Sequence, residues 1–153
     1  MKTLKRLAVP SLFVVATALA GATLAQAAVS CHKINAKGAG QDLGNGATQA
    51  QIIGGGLLQG TTHANFTIVA NTPPALPIAG AVTFTTQQAT LTVTVTGIFN
   101  VATGAFVATG PVTAATGKLA GATGTLLLEG VEDLTTGKFV EDVSGLICVD
   151  LAR

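Results

Sequence analysis

The sequence predicts an all-β fold: an antiparallel, closed barrel of about eight strands, with a β-sandwich as the alternative. Three observations predict it. Leu91, Val93 and Val95 alternate with Thr90, Thr92, Thr94 and Thr96, a strict period of two with one apolar and one hydroxylated face. A small-Thr-Gly turn signal recurs at Ala102-Thr103-Gly104, Ala115-Thr116-Gly117 and Thr135-Thr136-Gly137, each followed by one residue and an apolar pair. No segment after residue 27 shows a period of 3.6. Closure is preferred to a sandwich because it removes exposed strand edges.

Taken from the N-terminus, the chain opens on a cleavable export signal at residues 1–27. Lys2, Lys5 and Arg6 form a positive start, an apolar run follows from Leu7 to Leu24, and Ala25-Gln26-Ala27 is the small-x-small pattern before a cut. A transmembrane anchor is the alternative, since the run is of borderline length for a span, but it is rich in Ala, Gly and Thr and ends at a good cleavage site, so stable membrane insertion is not expected once the signal is removed. The barrel domain is then residues 28–153, and the expected location is secreted or periplasmic.

The whole chain has eight basic and seven acidic residues. With the signal gone, five basic residues face seven acidic ones. A weakly acidic surface does not attract a phosphate backbone, so nucleic acid is excluded as a partner. The absence of Trp and Tyr weakens a carbohydrate-binding reading, since sugar platforms favour those rings.

Eight strands are expected near 30–37, 51–58, 63–70, 81–86, 89–99, 105–113, 122–129 and 138–149. Gly38–Gly46, with four glycines in nine residues, reads as a loop. Asn71–Pro77 reads as another, because its three prolines remove ladder donors. Gln87-Gln88 occupies a tight turn. Asn100 and Asp133 each stand four residues before a turn glycine, where a side-chain oxygen can accept from the turn backbone. Phe66, Phe84, Phe99, Phe106 and Phe139 fall on strand patterns and read as core.

Cys31 and Cys148 are the only cysteines. In an oxidising compartment they are expected to pair, tying the first strand to the last. The chain-entropy model gives such a long loop roughly 4–5 kcal/mol. Lipidation of Cys31 is a rival, because Ala28-Val29-Ser30-Cys31 resembles a lipobox with Ala where Leu is preferred, and two free thiols are the remaining alternative.

At Ala115–Thr125 the chain reads ATGKLAGATGT and runs on into Leu126-Leu127-Leu128-Glu129-Gly130. This resembles the GTGxFAGAxGT element of the allene oxide cyclase and dirigent-like barrels, above all secreted bacterial proteins of unassigned function that share it. The hairpin Asp133–Phe139 is similar to what those proteins carry next, and the match covers roughly residues 97–149. The resemblance implies an eight-stranded antiparallel barrel of the calycin, allene oxide cyclase-like type with a central cavity. It also implies a homo-oligomer, a trimer in the cyclase and plant dirigent branches. It transfers no activity: the only Arg after the signal is Arg153, and no cyclase set of Pro, Asn, Glu and Cys can be placed residue by residue.

Titratable groups are few. Glu129 at a strand end and His63 at a strand start are the candidates for catalytic groups at a barrel cavity, weighed against plain solvated side chains. Glu132-Asp133 and Glu141-Asp142 read as turn and surface charges, with a calcium ion as the less favoured reading. Gly54-Gly55-Gly56 lacks the Lys-Ser/Thr ending of a phosphate loop. No cofactor and no metal are expected. The reading that follows is a non-enzymatic barrel, either a surface or structural protein or a binder of a small hydrophobic ligand. A cyclase- or dirigent-like catalyst or template acting on a hydrophobic substrate is the alternative.

Overall fold

A computed structural model describes residues 28–152; the export signal expected at 1–27 and Arg153 lie outside the described residues. Eight antiparallel strands follow one another around a closed barrel: β1 (Ser30–Gly44), β2 (Ala47–Gly54), β3 (Gly60–Ile68), β4 (Ala75–Thr85), β5 (Thr90–Asn100), β6 (Ala105–Ala115), β7 (Thr123–Asp133) and β8 (Lys138–Val149). Each pairs with its sequence neighbours, and β8 returns to β1 along the whole stretch from Ser30↔Val149 to Gln41↔Lys138. There is no α-helix among the described residues. The sandwich alternative is therefore set aside in favour of the closed barrel.

Strand alternation fills the interior. Leu91, Val93 and Val95 are buried while Thr94 and Thr96 face out. On the outer face, hydroxyls bond across strands, as in Thr83–Thr92 at 3.0 Å and Thr94–Thr113 at 3.1 Å. The two hairpins that sequence pattern made equivalent are built alike. Asn100 Oδ1 accepts from the Ala102 and Thr103 amides (2.9 and 3.2 Å), and Asp133 Oδ1 accepts from the Thr135 and Thr136 amides (2.9 and 3.3 Å). Gly104 and Gly137 supply the left-handed residue, at φ 74° and 69°. The third copy of the signal differs: no Asn or Asp precedes it, and Gly117–Leu119 forms a 3-10 turn between β6 and β7.

The two ends of the barrel are unlike. One end holds the β2–β3, β4–β5 and β6–β7 connections together with both ends of the described chain. There Leu58 and Leu119, each the one buried residue of a 3-10 turn, join Ile34, Phe84, Leu91 and Ile147 in one buried cluster that closes the interior. At the same end Cys31 and Cys148, directly paired in register with Cα atoms 3.9 Å apart, form the disulfide across the β1–β8 seam. Both cysteines are thus in the bridge, which leaves no thiol at Cys31 for lipidation. The other end, the mouth, carries the four remaining hairpins.

Several boundaries differ from expectation. The Asn71–Pro77 loop is shorter than expected: Ala75-Leu76-Pro77 already belong to β4, paired with Asn100, Phe99 and Ile98 of β5. The Gly38–Gly46 stretch is strand as far as Gly44, and only Asn45-Gly46 turns. Gly38 and Gly40 continue the inward series of Ile34 and Ala36, and they are small because β8 sets Glu141 and Phe139 against them. Leu57-Leu58 ends the expected second strand in a 3-10 turn because Leu58 is drawn in as a plug rather than carried along the ladder.

Candidate functional site: a mouth cavity with one buried carboxyl

Inward positions shrink towards the mouth. Where the closed end presents Ile34, Phe84, Leu91, Leu126 and Ile147, the mouth half presents Gly38, Gly40, Ala50, Ala64 and Ala108. The missing volume is a cavity of about 560 Å³, within the usual range for a small-molecule site. Its wall is mainly apolar, with Ala64, Val82, Ala108 and Leu128 at depth and Phe66, Phe99, Phe106 and Phe139 towards the rim. The Phe106 and Phe139 rings meet edge to face, with centroids 5.9 Å apart and planes at 86°.

Polar groups in the wall are sparse: Thr48, Thr62, Thr67, Asn45, Asp42 and Glu141. Glu141 stands apart from the others. It is only 8% exposed, and among the described residues its side chain makes no hydrogen bond or ion pair. The register explains how an acid fits there. Glu141 lies between Gly38 on β1 and Gly130 on β7, so neither flanking position has a side chain. A Cβ on residue 38 would come within 2.6 Å of Glu141 Cγ and Oε1. Burial pushes the Glu141 carboxyl from its ordinary 4.5 up to about 7.

The rim is acidic too. Glu132, paired with Phe139 in register, has its carboxyl raised, first by burial and then by the nearby Asp42 carboxylate. Asp133 is held below its ordinary value, chiefly by the hydrogen bond from the Thr135 amide. None of the described Lys or His residues lines the cavity. Lys37 faces outward onto Asp142, at 2.6 Å. Alternation along β8 turns Glu141 inward and Asp142 outward, so the two do not converge on a cation. No group of three metal-ligating side chains occurs among the described residues.

The structure does not bring the sequence-derived candidates into this cavity. Glu129 is exposed on the outside of β7, between Val107 and Asp142, because Leu126 and Leu128 take the inward positions. His63 is exposed between the buried Thr62 and Ala64 on β3. The expectation that Glu141 is a surface charge is corrected: it is the acid inside the barrel. A signal for it was present in the alternation Phe139, Glu141, Val143, where an acid occupies the middle of an otherwise apolar face.

Compared with family models, with curated proteins and with solved structures, the chain matches none of them. The element that resembles the allene oxide cyclase and dirigent-like barrels, Ala115–Thr125, forms the end of β6, the 3-10 turn and the start of β7. It delivers Leu119 to the closed end. Its role in this chain is to plug the barrel, remote from the cavity.

Proposed function

We propose that the protein is an extracytoplasmic carrier or sensor that binds one small hydrophobic molecule in the mouth cavity. One observation carries this reading: an apolar chamber of about 560 Å³ opens at one end of a barrel whose interior is closed at the other end by the buried Leu58 and Leu119. The Cys31–Cys148 disulfide supports a compartment outside the cytoplasm, secreted or periplasmic, in line with the export signal in the sequence.

A second reading is favoured by Glu141 alone. An acid inside the cavity is what a cyclase- or dirigent-like catalyst on the same scaffold would need. It lacks a hydrogen-bonded partner to orient it or share its proton, so binding without chemistry is preferred.

The test uses the neutral fluorescent probe N-phenyl-1-naphthylamine with the wild-type chain and with Ala64→Leu, which puts a larger side chain into the cavity wall. Saturable enhancement with wild type and its loss in a folded Ala64→Leu protein is the expected result. No saturable binding, or binding unchanged by the substitution, would overturn the reading.

A further inference from the structure

The chamber is apolar but not electrically neutral, and its imbalance has one sign. Glu141, only 8% exposed, lines the open cavity without a partner of its own. Asp42 also lines the cavity, and Glu132 stands at the rim close enough for Asp42 to raise its carboxyl. Of the elements packed against Glu141, β1 turns Lys37 outward onto Asp142, and β7 turns Glu129 outward. The described cationic side chains all lie away from the chamber wall. A buried carboxylate without a counter-charge is costly, and a ligand that brings the counter-charge removes that cost.

We infer that the ligand is a lipophilic amine, with its apolar body between the Phe rings of the mouth and its ammonium group against the Glu141 carboxylate. This rests on the cavity-binding reading above and deepens it. The missing side chains at Gly38 and Gly130 let the Glu141 carboxyl and the Phe106 ring lie over the strands, and Glu141 lines the open cavity, from which an ammonium can reach it. Phe106 and Phe139, packed edge to face, line the same cavity as Glu141, and aromatic rings near an ammonium add to its binding. An anionic amphiphile of equal length would place its head against Asp42, Glu132 and Glu141 and is rejected.

Proton linkage gives the inference a second signature. With the Glu141 carboxyl titrating near 7, capture of an ammonium below that pH must first expel a proton. The amine stays charged throughout, so its affinity falls by up to about thirtyfold between about pH 8 and about pH 5.5. Glu132, whose carboxyl is also raised, acts in the same direction from the rim.

The experiment displaces N-phenyl-1-naphthylamine from the full chain with dodecylamine, 1-dodecanol and dodecanoate, each below its micellar concentration, for wild type and Glu141→Gln. At pH 8 dodecylamine should displace the probe at a concentration at least about tenfold below that of either other ligand, and Glu141→Gln should abolish that advantage and all of its pH dependence but the part that Glu132 contributes. Equal potency of the amine and the alcohol, or an amine preference that survives in Glu141→Gln, overturns the inference while leaving the cavity as a binding site. Failure of the probe to bind wild type overturns the binding reading itself. Retained probe binding by Glu141→Gln shows that the variant is folded.

Discussion

Replacing Glu141 by Gln is expected to stabilise the barrel at neutral and alkaline pH and to remove a pH dependence that the wild type carries. Glu141 is 8% exposed and meets no donor or cation, so its ionised form is penalised in the folded chain and not in the unfolded one. Its folded pKa of about 7 stands above the ordinary 4.5. Between those two values the folded state holds a proton that the unfolded state has lost, so stability falls as pH rises through the window. Below about 4.5 the protonated form stabilises fully, and above about 7 that contribution is gone. At about 1.4 kcal/mol per tenfold change, the full effect is about 3 kcal/mol. For a domain of this size that corresponds to a shift in Tm of roughly 10 °C. Urea unfolding of wild type and Glu141→Gln at pH values from 4.5 to 8.5 isolates the effect, because Glu132 and Asp133 titrate alike in both and cancel in the difference. The difference should grow by about 3 kcal/mol with rising pH and level off above pH 8. Parallel stability curves across that range would refute the reasoning, since they would mean that Glu141 is solvated in the folded state.

Removing the disulfide with Cys31→Ser and Cys148→Ser together should cost about 2–5 kcal/mol in urea unfolding, because the bridge closes a separation of 117 residues. The unreduced wild type should also be two hydrogens lighter by intact mass than its reduced form. Leu119→Ala should cost about 2–5 kcal/mol, since Leu119 is 2% exposed in the plug, while leaving the affinity of the mouth for the naphthylamine probe within about twofold. Glu129→Gln and His63→Ala should each change stability by less than about 0.5 kcal/mol and leave probe binding unaltered, because both side chains lie on the outer face.

What could be read from the sequence was what is local. The Leu91–Thr96 alternation and the Asn100/Gly104 and Asp133/Gly137 hairpins depend on residues within a few positions of one another, and these parts of the structure follow the expectation. What could not be read was set by partners about a hundred residues away. Gly38 and Gly40 resemble loop residues until β8 is seen to place Glu141 and Phe139 across from them. Glu141 resembles one of a pair of surface charges because its neighbour Asp142 is acidic too. Only the register, which turns one in and the other out, separates them. Glu129 and His63 looked like site residues as titratable groups at strand ends, a criterion that does not depend on which face they occupy.

The closed end gathers more than the plug and the bridge. Ser30 starts the first strand and Val149 ends the last one side by side there, so both ends of the described chain lie on the side opposite the opening. Held by either terminus to a surface, a larger assembly or a fused domain, the molecule would stand like a cup on its base. Its opening would point into solution, and cargo could come and go without the support in its way.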